Sequence, residues 1–449
     1  MRRRLLFIFA MLFSVATAFA QDCDYSGTTG QLQWCLKNGT LTISGNGVMP
    51  NYGYPIYSPW DSHKASITTI IMETGVTSIG NYAFYNCQQL ISVIIPNTTT
   101  SIGNSGFHSC KSLISVTLPN SVISIGSVVF EDCTALTSIN VENGNNSYAS
   151  ENGVLFNKNK TTLICYPAGK TDISYVIPNF VTSIEGSAFT RSTKLTSIII
   201  PNSVTSIGQG GFYFCTNLTL VTIPSSVTNI GDYVFYGCTS LSSITNLNPL
   251  PVALNSHVFY YETQKKCTLT VTTSAVSVYK NAAVWREFNI VGGGFLVNPK
   301  INNSEYGYTT GNKLYEANAT ATVTATANSG YKFVNWTKGG IEVSTTNSYS
   351  FSVTEDVELV ANFEYNVGIE NIEATTINIY PNPMKSELKI ESGELRVENL
   401  AIYDIFGKVQ KIENFEKGKA IDISHLPVGV YFVKISTEVG DVTRKVLKE

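Results

Sequence analysis

At 449 residues, the chain is several times longer than a domain of about 100–200 residues, which predicts about three domains. Lys and Arg number 30, Asp and Glu number 33, and the net charge is -3. A nucleic-acid-binding protein needs a basic patch that this balance does not offer, so we expect no nucleic-acid partner. Beyond the N-terminus no apolar run approaches the roughly 18 residues of a membrane-spanning helix, so we expect no transmembrane span in the mature form.

The N-terminal segment 1–20 has the form of a signal peptide. Arg2, Arg3 and Arg4 precede an apolar stretch at residues 5–13, and the small residues Ala18 and Ala20 flank Phe19. This order of positive, apolar and small residues predicts cleavage between Ala20 and Gln21. An uncleaved membrane anchor is the alternative, but the apolar stretch is short for a bilayer.

A fixed period of 23 residues organises the first half of the chain. It separates Phe84, Phe107 and Phe130, and again Phe189, Phe212 and Phe235. A cysteine follows three residues after most of these phenylalanines, and a leucine three residues later. A constant period of this length predicts a solenoid. The cysteines in this register are Cys87, Cys110, Cys133, Cys215 and Cys238.

Each repeat predicts one short strand. Val221 and Ile223 alternate with Thr222, which is the period of a strand, and Pro224 ends it because proline cannot donate to a sheet. The segment from Phe130 to Phe189 is longer than two periods. We therefore expect one or two irregular turns there, centred on residues 152–156, and eight or nine turns in all.

Residues 27–292 resemble the BspA-like leucine-rich-repeat proteins of bacterial surfaces. The repeated Ser-Ile-Gly-x-x-x-Phe-x-x-Cys-x-x-Leu carries the resemblance, with a cap segment at residues 39–45 followed by Pro59 and Trp60, and a closing segment at 279–288. Glu185 replaces a repeat glycine and Ser192 a repeat cysteine. The resemblance implies a leucine-rich-repeat solenoid and adhesion to host or neighbouring-cell macromolecules.

Two further β modules follow the repeats. Alternation at residues 321–325 and 349–353 predicts strands of a small β domain over 292–366. Segments 330–336 and 359–363 resemble the small extracellular β repeats between larger modules of bacterial surface proteins. This resemblance implies a spacer.

The composition changes towards the C-terminus. Residues 65–245 hold 6 Lys and Arg and 8 Asp and Glu, whereas residues 377–449 hold 11 and 11. We expect a linker at 367–376 and a short-stranded β-sandwich at 377–449. Segments 378–383, 402–408, 426–434 and 445–448 resemble the C-terminal sorting domain of type IX secretion. That resemblance implies contact with the type IX machinery, passage across the outer membrane, and removal of the domain at the cell surface.

The expected fold is therefore mainly β: a leucine-rich-repeat solenoid, a small β domain and a C-terminal β-sandwich sorting domain. The predicted domains before the spacer are a signal peptide at 1–20, an N-terminal cap at 21–64 and the solenoid with its C-terminal cap at 65–291.

The sequence contains few signs of chemistry. His63, His108, His257 and His425 lie far apart, and no zinc, phosphate-loop or nucleophile-elbow motif is present. We expect no catalytic residues, no cofactor and no metal site. A secreted hydrolase stays an alternative, because spacing alone does not exclude a Ser/His/Asp triad.

The cysteines allow two interpretations. The five repeat cysteines lie between a repeated Phe and a repeated Leu, which favours buried free thiols over disulfides. Cys23 and Cys35 lie in the cap, where a disulfide would stabilise a module with little core, but free thiols are equally compatible with the sequence. Cys165 and Cys267 have no evident partner, and the total of 9 is odd.

A solenoid offers an extended face whose side chains vary without disturbing the core. The predicted outward positions of this face are uncharged, and they indicate a surface with little electrostatic steering. We expect a surface-attached, adhesin-like protein that binds surface proteins or glycans, the alternative being a structural surface-layer or biofilm protein without a specific ligand. The outward positions are Ile94, Thr117, Asn140, Ile199, Thr222 and Thr245.

Overall fold

A computed structural model describes residues 22–366, 377–392, 396–405, 407–414, 416, 418–437 and 440–449. The predicted signal peptide, its cleavage site at Ala20 and Gln21, and the predicted linker at 367–376 lie outside these residues. The described chain forms two compact units, which divide after Tyr365. The fold is mostly β, as the sequence predicts.

The N-terminal cap is an antiparallel β-meander on which the first solenoid strand stacks in parallel. Its indole Trp60 is fully buried and donates a hydrogen bond to the Ala83 carbonyl oxygen at 2.9 Å. This cap covers apolar side chains that the first repeat would otherwise expose. The cap strands are Tyr25–Thr29, Leu32–Lys37 and Thr40–Ser44, followed by a 3-10 helix at Asp61–Ser66.

One parallel strand per turn forms the main ladder of the solenoid. Its side chains alternate, so that Ile198, Val221 and Ile244 are buried while Ile199 and its neighbours in register point outwards. The strands are Thr69–Met72, Ser92–Ile94, Ser115–Leu118, Ser138–Val141, Ser174–Val176, Ser197–Ile199, Leu220–Ile223, Ser243–Asn246, Thr268–Val271 and Asn289–Gly292.

A second ladder of very short strands runs along another edge, at the repeated Ser-Ile-Gly. The glycine is required because adjacent turns approach closely: a Cβ atom on Gly103 would lie 2.5 Å from the Asn81 backbone nitrogen. A Cβ atom on Gly208 would lie at the same distance from the Gly186 backbone nitrogen. The strands are Gly47–Val48, Val76–Ile79, Ser101–Ile102, Ser124–Ile125, Ser183–Ile184, Ser206–Ile207 and Asn229–Ile230.

Aromatic rings stack through the solenoid and form its central column. Centroids lie 5.3 Å apart between Phe84 and Phe107 and 5.4 Å apart between Phe212 and Phe235. Such offset contacts add to the apolar area that the rings bury. Trp60 extends the column at one end, and Tyr166 takes a phenylalanine position within it. The solenoid has about ten turns, against the eight or nine predicted.

One irregular turn accounts for the extra residues after Phe130. An antiparallel meander of Tyr148–Glu151, Val154–Asn157 and Thr162–Cys165 is inserted there, and its last strand then continues the edge ladder in parallel. The backbone N–H of Tyr166 donates to the Ala188 carbonyl oxygen, just as the N–H of Phe189 donates to Gly211 in the next turn. The regular register therefore resumes at Tyr166.

The solenoid ends in short helices that bury Tyr279 and Trp285. The indole N–H of Trp285 donates to the Val252 carbonyl oxygen at 2.7 Å. Together these rings cover the last turn, as Trp60 covers the first. The α-helices are Tyr261–Lys266 and Val276–Asn281, and the 3-10 helices are Thr273–Ala275 and Trp285–Glu287.

The small β domain packs on the solenoid within the same compact unit. Its two sheets enclose the fully buried Trp336. The hydroxyl of Ser225 in the solenoid donates to Asn298 Oδ1 at 3.0 Å, and the hydroxyl of Ser274 donates to the Asp356 carboxylate at 3.1 Å. The strands are Phe295–Ile301, Gly307–Thr310, Lys313–Tyr315, Thr320–Ala327, Tyr331–Lys338, Ile341–Ser344, Ser348–Ser352 and Val357–Tyr365.

The second unit is a β-sandwich of a three-stranded and a four-stranded sheet. Leu388, Leu400 and Val433 are fully buried in a core of its own. A separate apolar core is what an independently folding module requires. The strands are Asn378–Tyr380, Glu387–Glu391, Val397–Asp404, Val409–Asn414, Ile421–Asp422, Gly429–Thr437 and Gly440–Lys448.

Candidate functional site

The outward side chains of the main ladder form a surface that we call the strand face, and the irregular turn divides it into two parts. None of the ten described strands of this ladder contains Lys, Arg, Asp or Glu. Each strand is short, and successive side chains point to opposite faces, so each turn presents two outward positions around one buried residue. The strand face is therefore an array of uncharged side chains, because every repeat contributes uncharged residues at its two outward positions.

The predicted face residues lie at the second of these outward positions. Register joins Ile199 to Thr222 and Thr222 to Thr245, and it also joins Thr117 to Asn140. Ile94 is in register with Ile71. The inserted meander follows the strand that contains Asn140, so the six residues fall into two groups, one on each side of the irregular turn.

Aliphatic side chains on the strand face are unusually exposed. Ile94 is 57% exposed, Ile199 is 58% exposed and Val176 is 60% exposed. Contiguous exposed apolar groups on a soluble protein often mark an interaction surface. Thr222 and Thr245 are half-buried.

The first outward position carries hydroxyl groups in most turns, and sequence reasoning did not single it out. Thr69 is in register with Ser92, and Ser115 with Ser138. These serines recur at the same phase of the repeat, and this recurrence was a usable signal. The strand face therefore combines one hydroxyl column with one aliphatic or threonine column, which suits hydrogen bonding and apolar contact over a broad surface.

The repeat cysteines lie inside the solenoid and carry free thiols. The thiol of Cys110 donates to the Phe84 carbonyl oxygen at 3.2 Å, and the thiol of Cys238 donates to that of Phe212 at the same distance. Burial raises the pKa of the Cys87 thiol to about 12, and burial raises that of Cys238 to a similar value. A thiol that stays protonated is a poor nucleophile and a poor metal ligand.

The remaining cysteines separate into one disulfide and two free thiols. Cys23 and Cys35 form a disulfide in the cap, and Cys165 and Cys267 are free. No group of three or more His, Cys, Asp or Glu side chains arranged to hold a metal occurs in the described ranges. Among the helices that the structure describes, none is both long and apolar enough to cross a bilayer.

Three family models match the chain. The BspA type leucine rich repeat region matches in six copies over residues 62–175 and 165–283. The divergent InlB B-repeat domain matches residues 297–367. The secretion system C-terminal sorting domain matches residues 378–449. No curated protein is similar enough in sequence to be matched.

Several solved structures are similar over most of their own length. A leucine-rich repeat protein from Eubacterium ventriosum is 25% identical over 63% of this chain and 88% of its own, with a TM-score of 0.42. The pneumococcal vaccine antigen PcpA is 19% identical over 61% of this chain and 99% of its own, with a TM-score of 0.40. A leucine rich cell surface protein from Faecalibacterium prausnitzii is 24% identical over 61% and 96%, with a TM-score of 0.34.

The repeat matches and the sorting-domain match agree with the motifs in the sequence and with the two folded units. Sorting domains of this kind direct export through the type IX system. The chain is a BspA-type leucine-rich-repeat protein that its C-terminal sorting domain directs across the outer membrane to the cell surface.

Proposed function

We propose that this protein is a non-enzymatic, adhesin-like binding protein that recognises host or neighbouring-cell proteins or glycans through its strand face. The observation that carries the proposal is the array of uncharged outward side chains over ten stacked strands. The exposed Ile94, Val176 and Ile199 are the groups whose burial by a partner would contribute most free energy, because apolar area removed from water is the main source of association free energy.

The strand face also suits binding rather than catalysis. Its outward groups are hydroxyls and aliphatic chains, which supply neither a general base nor a charged nucleophile. Without charges, the face provides little electrostatic steering, so association would depend weakly on ionic strength.

The other modules serve display in this proposal. The β domain at 292–366 acts as a spacer between the solenoid and the attachment point, and the sorting domain at 377–449 is removed once it has delivered the protein. The cap at 21–64 and the solenoid at 65–291 then form the part that meets the partner.

The proposal is tested by placing charge on the strand face. Purified mature protein is applied to an array of extracellular-matrix proteins and cell-surface glycans, beside the triple variant Thr117→Lys, Thr222→Lys and Thr245→Lys. Thr117 is exposed, and Thr222 and Thr245 are half-buried on the solvent side of the strands, where a lysine can extend its charged end into water, so the variant should fold. We expect at least one array component to bind the parent protein, and the variant to bind it at least about tenfold more weakly.

The matched control places three lysines immediately before strands of the other ladder. Thr100, Thr205 and Thr228 are exposed threonines there, and Thr100→Lys, Thr205→Lys and Thr228→Lys together should leave binding unchanged. Equal binding by both folded triple variants would show that the ligand uses another surface. Failure of the parent protein to bind any component would favour a structural role in the surface layer.

A further inference from the structure

The irregular turn interrupts the aromatic column. Phe130 stacks on Phe107 at 5.9 Å, and Tyr166 stacks on Phe189 at 5.1 Å. Among the ring contacts of the described residues, none joins Phe130 to Tyr166. The separation of these two residues along the chain exceeds one period, and the inserted meander separates the two rings. A cavity of about 560 Å³ lies at this interruption, with Phe130 and Tyr166 both in its lining.

The edge glycine is also absent at this point. In regular turns a side chain cannot replace the glycine, because the preceding turn approaches to about 2.5 Å of the Cβ position, as at Gly208. Glu185 occupies the equivalent position beside the cavity and is exposed. The preceding turn is the irregular one, so the side chain of Glu185 has room there.

A second row of aromatic rings begins at the same cavity. Tyr213 stacks on Tyr236 with centroids 5.9 Å apart, and Tyr233 stacks on His257 at 5.3 Å. One turn earlier these two positions hold Thr190 and Gly210, which have no ring. Tyr213 and Tyr233 therefore have a ring neighbour in the following turn and none in the preceding turn. Both line the cavity and offer it aromatic surface.

The polar part of the lining consists of acceptors and neutral groups. Ser187 and Glu131 both line the cavity, and burial raises the pKa of the Glu131 carboxyl. Gln209 and Glu185 complete this side of the cavity, and the lining contains neither Lys nor Arg. Acceptors without fixed positive charge disfavour an anion and favour a ligand that carries hydrogen-bond donors.

The cation that acts on Glu131 is already paired, which argues against an anionic ligand. Arg191 Nε donates to the Asp132 carboxylate at 3.0 Å, and the guanidinium lies 5.2 Å from the centre of the Phe214 ring. The positive charge of Arg191 lowers the pKa of Glu131 and so opposes the effect of burial. The charge of Glu131 is thus partly offset before any ligand arrives.

We propose that this cavity binds a neutral saccharide unit. A pyranose has an apolar C–H face and a rim of hydroxyl donors, and it matches a site with aromatic surface from Tyr213 and Tyr233 and acceptors from Glu131 and Gln209. The cavity volume of about 560 Å³ suits one or two sugar residues. This site is distinct from the strand face, because none of the six predicted face residues lines it.

The test uses the full mature chain and three neutral disaccharides, maltose, lactose and N,N′-diacetylchitobiose, with saturation-transfer NMR to detect binding and calorimetry to measure it. We expect at least one to bind with a dissociation constant on the order of 1 mM. Tyr213→Leu, which removes the ring, should weaken binding about tenfold, whereas Tyr213→Phe should retain it.

Two further variants keep the result interpretable. Tyr85 occupies the same repeat position as Tyr213 without lining the cavity, so Tyr85→Leu should leave binding unchanged. Ala168 is a half-buried lining residue, and Ala168→Phe should block the cavity and abolish binding without removing a polar group. The strand-face triple lysine variant should bind the saccharide normally, which separates this site from the proposed adhesive surface.

Three results would overturn the proposal. One is the absence of binding by all three disaccharides. Another is equal affinity in the folded Tyr213→Leu and Ala168→Phe variants. The third is binding of spermidine instead, which would mean that the carboxylates select a cation.

Discussion

The thiol of Cys215 donates a hydrogen bond to the carbonyl oxygen of Phe189, with 3.0 Å between the two atoms. The same bond recurs in other turns between a repeat cysteine and the column phenylalanine of the preceding turn, as for Cys133 and Phe107. Ser192 occupies the cysteine position one turn before Cys215, is 2% exposed, and its hydroxyl has no hydrogen-bond partner. Tyr166 takes the column position in the turn before Ser192, so its carbonyl oxygen is the one that a thiol at position 192 would reach.

Replacing Ser192 by Cys should therefore stabilise the protein. A longer C–S bond lets the thiol approach the Tyr166 carbonyl oxygen, and a buried unpaired hydroxyl is removed. We expect the free energy of unfolding to rise by about 1 kcal/mol, measured by urea denaturation. The reverse change, Cys215→Ser, should lower it by a similar amount. A less stable Ser192→Cys variant would contradict this account of the thiol column.

The buried thiols should make stability fall at alkaline pH. Burial raises the pKa of Cys238 in the folded protein to about 12 from an ordinary value of 9.0. The unfolded chain then releases its proton first, so the stabilisation is complete below about pH 9 and is lost as the pH rises towards 12. We expect the free energy of unfolding to fall by up to about 1.4 kcal/mol per pH unit for each such thiol.

The measurement is a series of urea denaturations between pH 8 and pH 11. Cys238→Ala should show a shallower decline than the parent protein, and an identical decline would contradict the prediction.

In native protein near neutral pH, a thiol reagent should label none of the five repeat cysteines and should label all five after unfolding. Disulfides among Cys87, Cys110 and Cys133 in a peptide map would be inconsistent with the structure.

Val128 adopts a left-handed backbone conformation, with φ of 52°. A β-branched residue is strained there, whereas Asn tolerates it. Val128→Asn should raise the free energy of unfolding by about 1 kcal/mol. Val128→Ala is the control: it removes the branch but keeps a Cβ, so its gain should be smaller. Equal stability of all three proteins in urea would show that the backbone relaxes at this position.

Deleting residues 377–449 should abolish surface display and leave the solenoid folded. The sorting domain has its own core around Leu400 and Val433, and the preceding unit contains the whole repeat array. In a host with type IX secretion, the truncated protein should remain periplasmic, as measured by surface labelling of intact cells. Its thermal midpoint should equal that of the solenoid transition in the full chain. Normal surface labelling of the truncated protein would refute the role assigned to this domain.

The left-handed residues also show a limit of the repeat pattern. Two positions in each regular turn, one shortly before and one shortly after the column Phe, have positive φ, and they hold residues such as Tyr82, Val128 and Phe214 as readily as Asn86. Sequence rules expect Gly or Asn there. The stacked turns impose the conformation, so local residue preference does not reveal it.

The sequence by itself determined the solenoid, its period and the order of the modules. Each turn must present one ring, one small buried group and one Leu to the turns beside it, so stacking requires the same spacing in every regular turn, as from Phe84 to Phe130 and from Phe189 to Phe235. It also determined the sorting domain, whose motifs are local. The uncharged composition of the strand face follows from the same repeat.

Only the tertiary structure decided what happens at the one irregular turn. Tyr166 resumes the aromatic column, Glu185 replaces an edge glycine, and the strand face is divided into two groups, because the inserted meander folds back on neighbouring turns. The residues in these contacts are not separated by a multiple of the repeat length, so the repeat does not predict them. Their energies depend on three-dimensional packing. The repeat in the sequence predicts the contacts between regular turns. It does not predict the cavity beside Phe130, because the regular stacking of turns is interrupted there.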